Sequence, residues 1–255
     1  MAIQHKFYQT DFGNGFRTHN AILDTVPYEP EVMIIGTFNP GTENANFADF
    51  FYGRNYFWPA LKNLINNNRI LSKRRMPQRG IPPVLLNPSV SEILDICFKL
   101  KLTFSDIVLE TMHTGNPQFQ LQSNDNVIFN NEQFNLILDK REKGINGLCE
   151  LNILRQVNWN TQNIIQYLKS NPQIKHVYLT RKPTEIWGNE WELIKNNSTI
   201  SGRHFTNIFT PSGQGKPVWN SMERLLSHWV RNDNPNFGKL DNEWLLNNGI
   251  YPDNF

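Results

Sequence analysis

Two polar loops, each placed directly after an apolar run, are the sequence feature that most constrains the fold. Residues 32–35 are followed by the loop 36–41, and residues 205–209 by the loop 210–216. Both loops are rich in glycine and proline, which is typical of a chain that turns where a strand ends. In open α/β sheets ligands bind at the carboxyl ends of the strands. We therefore expect the two loops, which come from distant parts of the chain, to face one crevice.

Hydrophobic periodicity predicts strands that alternate with helices after a polar N-terminal arm. The unbroken apolar run within residues 31–38 is typical of a buried parallel strand. Further strands are predicted at 104–109, 174–180 and 205–210. Helices are predicted at 55–67, at 91–100 with Ser91 as N-cap, at 130–138, within 148–169, at 183–194 and at 218–230, and a loop at 72–80. This alternation predicts an α/β protein, a three-layer α/β/α sandwich around a mostly parallel central sheet.

Length and composition indicate one domain of ordinary charge. The 255 residues fit a single domain over 1–231, with an insertion near 71–88 and a polar C-terminal tail over 232–255. The net charge of +2 means that contacts with nucleic acid have to come from local basic clusters. Two distant cysteines fit a reducing compartment. Because no signal-peptide core or membrane span is present in the sequence, we predict a cytoplasmic protein.

Several common kinds of site are disfavoured. The loop 36–41 lacks the Lys-Ser/Thr of a P-loop and the pattern of a dinucleotide fold. Ser212 lies in Pro-Ser-Gly and lacks the surrounding pattern of a serine hydrolase. No metal or other cofactor is expected, because no two histidines have the spacing of a metal site. The six histidines are His5, His19, His113, His176, His204 and His228.

An aromatic segment follows the first loop. By itself, Asn39-Pro40-Gly41 is explained equally well as a simple turn after a strand. Residues 49–59, however, add aromatic rings beside Arg54 and Asn55. We expect the last two rings, Phe57 and Trp58, to start a helix and enter the core. The other three lie in the loop, where a ring can stack on a base: Phe50, Phe51 and Tyr52.

These strings resemble the uracil-DNA glycosylase superfamily, and most closely its mismatch-specific and hypoxanthine-DNA glycosylase-like branches. The resemblance spans residues 30–230 and rests on four pieces in the same order. They are Thr37-Phe38-Asn39-Pro40-Gly41; Asn55-Tyr56-Phe57-Trp58; Ser105-Asp106-Ile107-Val108 with Ser123-Asn124-Asp125; and Pro211-Ser212-Gly213. The chain departs from the family pattern in the first loop: with Asn39-Pro40-Gly41 aligned, Thr37 stands where the family has Gly, and with Gly36 aligned the loop has one extra residue. In the second loop, Thr210 stands where the mismatch-specific branch has Asn.

The resemblance implies a monofunctional DNA glycosylase of base excision repair. Such a hydrolase flips uracil or hypoxanthine out of DNA and cleaves its N-glycosidic bond with water. Asn39 is expected to position that water, and backbone N–H groups of the turn to bind a carbonyl oxygen of the base. Asp106 either reads the base or orients water, or it only caps a turn. Base binding is assigned to Phe38, Pro40, Gly41, Phe50, Phe51, Tyr52 and Asn55, with Phe51 as the favoured stacking ring.

The expected partner is DNA, bound by a monomer. Gln214 is expected to fill the gap left by the flipped base, and Lys216 and Arg203 to contact phosphates. The basic loop 73–79 fits either phosphate contacts or simple exposure to solvent. DNA contacts are assigned to Arg54, Ser212, Gly213, Gln214 and Lys216.

Two alternative functions remain open. A catalytically silent relative that binds nucleic acid is favoured by Thr37 and by the altered second loop. A glycosylase that acts on an undamaged base or a free nucleoside is a further possibility. Excision tests on oligonucleotides separate these alternatives from a glycosylase that removes deaminated bases.

Overall fold

The computed structural model describes residues 2–41, 48–52, 57–67, 88–112, 148–153, 155–209, 222–231 and 234–255. The strands are β1 (Ala2–Gln4), β2 (Asp11–Gly13), β3 (Phe16–His19), β4 (Ile22–Thr25), β5 (Val32–Gly36), β6 (Leu102–Asp106), β7 (Val108–Met112), β8 (Val157–Trp159), β9 (His176–Leu179) and β10 (His204–Asn207). The α-helices are α1 (Phe57–Ile65), α2 (Val90–Leu100), α3 (Leu148–Ile153), α4 (Thr161–Ser170), α5 (Glu185–Lys195), α6 (Met222–Arg231) and α7 (Asn242–Asn247). Short 3₁₀ turns are formed by Ser198–Ile200 and Pro252–Asn254.

Most strands belong to a seven-stranded sheet with the order β10-β9-β5-β6-β4-β3-β2. The pairs β10–β9, β9–β5 and β5–β6 are parallel. The pairs β6–β4, β4–β3 and β3–β2 are antiparallel, so β3 runs in the same direction as the four parallel strands. Strands β1, β7 and β8 form a small antiparallel sheet. The prediction of a mixed α/β protein with a mostly parallel sheet is confirmed.

Both faces of the sheet are covered by hydrophobic clusters. Along β5, Val32 and Ile34 join one cluster, whereas Met33 and Ile35 join the other. The first cluster contains buried residues of α1, α2, α6 and α7, and the second contains buried residues of α3, α4 and α5. A strand buried on both faces has no polar alternation, which explains the unbroken apolar run. Among the described helices, none has the length and apolar character needed to cross a membrane.

The N-terminal arm, for which only a polar character was predicted, contains the strands β1 to β4. Asn14 (φ 52°) and Gly15 (φ 82°) form the two-residue turn between β2 and β3. Positive φ at both turn positions suits a hairpin, and Asn-Gly is a strong sequence signal for it. In β3, buried and exposed residues alternate. Asn14-Gly15 therefore indicates this hairpin in the sequence itself.

Two other predicted boundaries need correction. Helix α2 is capped by Ser89 and not by Ser91. The backbone N–H of Glu92 donates to Ser89 Oγ, and the N–H of Ser89 donates to Glu92 Oε2 at 2.8 Å, which is a capping box. The short strand predicted at 104–109 is two strands, β6 and β7, and β8 interrupts the helical stretch predicted within 148–169. The predicted elements at 72–80 and 130–138 lie outside the described residues.

The C-terminal segment 234–255, expected as a polar tail, is folded onto the domain. Asp241 caps α7 by accepting a hydrogen bond from the N–H of Trp244 at 2.8 Å. The Asn67 side chain ties the segment to the end of α1 through Gly249 O and the N–H of Tyr251. Its apolar residues belong to the cluster that also holds α1 and α6. These buried residues are Leu240, Trp244, Leu245, Ile250 and Phe255.

Candidate active site

The candidate site lies at the carboxyl edge of the parallel strands. In the order β6-β5-β9-β10, the chain passes from β5 to one neighbour, β6, and later crosses to the other neighbour, β9. The gap between β5 and β9 is therefore a topological switch point, where open α/β sheets bind ligands. Residues 37–41 leave β5 at this edge, and Thr180 follows β9 there. The polar residues of the site converge on this place.

A buried carboxylate, Asp106, forms the centre of the site. It ends β6 and is 1% exposed. Asn39 donates from Nδ2 to Asp106 Oδ2 at 2.6 Å, and His5 Nε2 lies 2.7 Å from the same oxygen. A buried carboxylate needs hydrogen-bond donors to remain charged. The structure therefore brings together Asn39 and Asp106, which were assigned separately from the sequence, and adds a histidine that was not assigned.

Hydrogen bonds fix the orientation of the His5 ring. Its Nδ1 accepts the backbone N–H of Phe7 at 3.0 Å, so the ring proton lies on Nε2 and is donated to Asp106. His5 itself is 2% exposed and lies in an aromatic environment, 5.5 Å from Phe51 and 6.0 Å from Phe38 between ring centroids. No spacing rule in the sequence connects residue 5 with residues 39 and 106. Only the fold of the N-terminal strand does so.

Asn160 binds the backbone of Asp106 through its side-chain amide. This residue is fully buried, and its Nδ2 donates to Asp106 O at 3.1 Å, to Ser105 Oγ at 3.1 Å and to Asn20 O at 2.8 Å. Its own N–H donates to Ile107 O at 2.8 Å. Asn160 therefore holds the end of β6 in place. No sequence pattern indicates this role of Asn160, because Asn is frequent throughout the chain.

Gly36 allows Asp106 and Tyr52 to approach each other. A Cβ atom at position 36 would lie 2.7 Å from Tyr52 Oη and still closer to Asp106 Oδ1. Thr180 Oγ1 donates to Ile35 O at 3.1 Å, so the phenol of Tyr52 is the donor to Thr180 Oγ1 at 2.9 Å. Burial, and secondarily the nearby Asp106, raise the pKa of Tyr52 well above its usual value. The phenol therefore keeps its proton.

The turn after β5 is bound to the N-terminal strand. The N–H of Gly41 donates to Gln4 O at 2.8 Å, and the N–H of Lys6 donates to Asn39 O at 2.7 Å. Pro40 is buried, has no N–H and forms a bridge with His5. Of the turn N–H groups that we expected to bind a base carbonyl, that of Gly41 is therefore already bound to Gln4 O in this structure. Glycine is needed at position 41 because a Cβ would meet Gln4 O at 2.8 Å.

The three loop aromatics do not share one environment. Phe50 and Phe51 are 1% and 0% exposed and pack with Phe7, Trp58 and Phe104. Our expectation that these two rings stand clear of the core is wrong, because a sequence of consecutive aromatic residues also suits a core. Tyr52 is half-buried and stacks on Phe57 with centroids 4.3 Å apart. Phe38 is also half-buried and packs against the second hydrophobic cluster.

Arg203 has a structural role that the sequence did not reveal. Its guanidinium donates to Leu168 O and Asn171 O at the carboxyl end of α4, and to Ile200 O in the 3₁₀ turn Ser198–Ile200. It precedes β10, at the edge of the sheet opposite Asp106. The predicted phosphate contact by Arg203 near this site is therefore wrong. The remaining assigned residues lie outside the described part of the chain: Arg54, Asn55, Ser212, Gly213, Gln214 and Lys216.

Two basic residues that the sequence analysis passed over lie beside the site. Arg181 and Lys182 directly follow Thr180 at the end of β9. The Arg181 guanidinium lies over the ring of Trp187, 4.3 Å from its centroid, which fixes one part of this loop. Basic residues at this edge suit an anionic ligand.

The opposite edge of the sheet carries a different cavity, of about 550 Å³. Its lining mixes acidic and basic side chains, among them Glu31, Lys101, His176 and Asp241. His176 stacks on His204 with centroids 5.3 Å apart. Burial lowers the pKa of His176 below its usual value. None of the polar groups around Asp106 reaches this cavity.

No group of three or more His, Cys, Asp or Glu residues within the described ranges is placed to hold a metal ion. Around Asp106, the described residues present the oriented amide of Asn39, the buried carboxylate, the imidazole of His5 and the hydroxyls of Tyr52 and Thr180. Comparisons of the chain with family models, with curated proteins and with solved structures give no match.

Proposed function

We propose that the protein is a monofunctional DNA glycosylase that hydrolyses the N-glycosidic bond of a deaminated base, uracil or hypoxanthine. The observation that carries this proposal is the hydrogen bond from Asn39 Nδ2 to the buried Asp106 at the switch point of the sheet. Because Nδ2 faces Asp106, the amide oxygen points away from it. That oxygen is an acceptor whose direction is fixed, which is what the positioning of a water molecule requires.

The reaction suits these groups because its transition state is dissociative. As the base leaves, positive charge develops on the sugar, and a weak acceptor such as an amide suffices to position the attacking water. The negative charge of Asp106, held in a site of low dielectric, favours the developing cation. Asn39 is thus the proposed catalytic residue that positions the attacking water. Asp106 orients the Asn39 amide and supplies a negative charge near the developing cation.

Other parts of the proposal rest on the sequence resemblance and on the residues at the carboxyl edge of the parallel strands. Tyr52 replaces Phe51 as the candidate stacking ring, since among Phe50, Phe51 and Tyr52 it is the ring that is not fully buried. Arg181 and Lys182 are candidates for phosphate contacts. The hydrophobic clusters on both faces of the sheet support the three-layer α/β/α sandwich. We further propose that the protein acts as a cytoplasmic monomer.

The test is excision from a panel of oligonucleotides that carry uracil, hypoxanthine, xanthine or only normal bases. Each is offered single-stranded and double-stranded, and abasic sites are revealed by cleavage with alkali. We expect the wild-type chain to process one deaminated base. Asn247→Ala, which changes an exposed asparagine at the opposite edge, should keep this activity. Complete absence of excision from the panel would overturn the proposal.

A catalytically silent protein that binds nucleic acid is the second candidate. It is favoured by the Gly41 N–H, which is used by Gln4 O and so does not present an oxyanion site. Such a protein would bind the same oligonucleotides, with affinity that falls as salt rises, and would release no base from any of them.

A further inference from the structure

The N-terminal strand continues directly into the candidate site. Its residues 4–6 run antiparallel to residues 39–41, with hydrogen bonds from Lys6 N–H to Asn39 O and from Gly41 N–H to Gln4 O. His5 forms the bridge between these two segments, with Pro40 as its partner. The N–H of His5 donates to Leu109 O at 2.9 Å, which ties the same residue to β7. The backbone of His5 is therefore held from both sides.

The side chain of His5 is held as firmly as its backbone. Each ring nitrogen has one partner, the N–H of Phe7 at Nδ1 and Asp106 Oδ2 at Nε2. The ring is enclosed by Phe7, Phe38 and Phe51, which leaves it 2% exposed. Both donors to Asp106 Oδ2 thus come from segments that lie next to each other, His5 from the N-terminal strand and Asn39 from the turn.

We propose that His5 is a positioning residue of the site, which sets the direction of the Asn39 amide through Asp106. The catalytic consequence rests on the proposed function, whereas the coupling between His5 and Asn39 does not. With one donor, Asp106 Oδ2 can move by rotation about the side-chain bonds, while two donors from different segments hold this oxygen in place. The position of Oδ2 in turn sets the direction of the Asn39 amide, because Asn39 Nδ2 donates a hydrogen bond to this oxygen. Removal of His5 therefore loosens the contact between Asp106 and the Asn39 amide without removing Asn39 itself.

Two substitutions separate the hydrogen bond from the shape of the ring. His5→Phe keeps an aromatic ring of similar volume but donates nothing to Asp106. His5→Gln keeps an N–H donor at the position of Nε2 and loses the ring. His19, an exposed histidine at the end of β3, provides matched controls as His19→Phe and His19→Gln. All four variants are compared with the wild-type chain.

The first readout is the single-turnover rate of base excision, with DNA affinity measured in parallel. We expect His5→Phe to lower the rate about 100-fold, the effect of a misplacement by about 1 Å, with little change in DNA affinity. His5→Gln should recover most of this loss, and the His19 variants should match the wild type. An active His5→Phe variant with the wild-type rate would overturn the positioning role.

The second readout needs no catalytic activity. Hydrogen exchange of the Asn39 side-chain amide, followed by ¹H–¹⁵N NMR, should be slow in the wild type, fast in His5→Phe and slow again in His5→Gln. If this pattern appears while the wild-type chain excises no base, the coupling stands and the proposed function fails. If the exchange in His5→Phe equals that of the wild type, the coupling itself is wrong.

A measurement on the wild-type chain covers the case in which His5→Phe does not fold. The ¹⁵N spectrum of His5 should show a protonated Nε2 and an unprotonated Nδ1, and the Nε2–H signal should shift in Asp106→Asn. A proton on Nδ1, or a signal that does not respond to Asp106→Asn, would overturn the proposal.

Discussion

Substitution of Gly36 by alanine provides a sharp test of the packing around Asp106. The added Cβ would lie 2.7 Å from Tyr52 Oη and closer to Asp106 Oδ1. A relaxed contact between carbon and oxygen is about 3.3 Å, so the phenol has to move by about 0.6 Å and the carboxylate by more. Asp106 cannot move freely because His5 and Asn39 both bind its other oxygen. We expect a loss of about 1–3 kcal/mol in the free energy of unfolding, as in other overpacked sites.

Urea denaturation measures this loss, and single-turnover excision measures its effect on the site. We expect the rate to fall about 10- to 100-fold, because the shift moves Asn39 together with Asp106. Gly36→Ala combined with Tyr52→Phe should remain destabilised, since the closer contact is with Asp106. Gly188→Ala in α5, where the nearest atom is Pro183 O at 3.0 Å, is the matched control and should stay within about 1 kcal/mol of the wild type. Wild-type stability and rate in Gly36→Ala would refute the geometry.

Three further predictions concern single interactions. Tyr52→Phe removes the hydrogen bond to Thr180 Oγ1 and should lower the free energy of unfolding by about 0.5–1.5 kcal/mol, as measured by urea denaturation. Tyr251→Phe, at an exposed position, is the control and should leave the free energy of unfolding unchanged. Asn160→Ala leaves the carbonyl groups of Asn20 and Asp106 without this donor and should lower the free energy of unfolding by about 1–3 kcal/mol in the same assay. An unchanged urea midpoint would contradict the role assigned to Asn160. Burial lowers the pKa of His176 below 6.5, so the unfolded chain binds the proton better and stability falls as the pH drops below 6.5. His176→Gln should therefore lose less stability than the wild type between about pH 7.5 and about pH 5.5, and an equal loss in both chains would count against this assignment.

Continuous apolar patterns made the parallel part of the fold predictable. The run at residues 32–35 is buried on both faces of the sheet, and such burial requires apolar residues at every position. The glycines and prolines after it correctly marked the end of the strand. The N-terminal hairpin was also predictable from Asn14-Gly15, but a generally polar composition concealed it. The C-terminal segment misled for a similar reason, since its five buried apolar residues are spaced among many asparagines.

The candidate site was only partly predictable. Asn39 and Asp106 were chosen separately, and the structure joins them by one hydrogen bond. His5 and Asn160 were not chosen, because each reaches Asp106 through pairing of distant segments that no local pattern encodes. Phe50 and Phe51 were assigned to a loop surface, yet they pack against Phe7, Trp58 and Phe104, rings that distant parts of the chain bring into the core. Burial of a short aromatic run depends on what the fold places beside it.

The central claim is that Asn39, oriented by Asp106, positions water for the cleavage of an N-glycosidic bond in DNA. The most direct measurement is the single-turnover rate of base excision by Asn39→Ala and by the wild-type chain on the same oligonucleotide, with DNA affinity determined for both. The account predicts that the rate falls by about two to three powers of ten while DNA affinity is retained, as for the loss of one polar contact made in the transition state. Near wild-type excision by Asn39→Ala would contradict it.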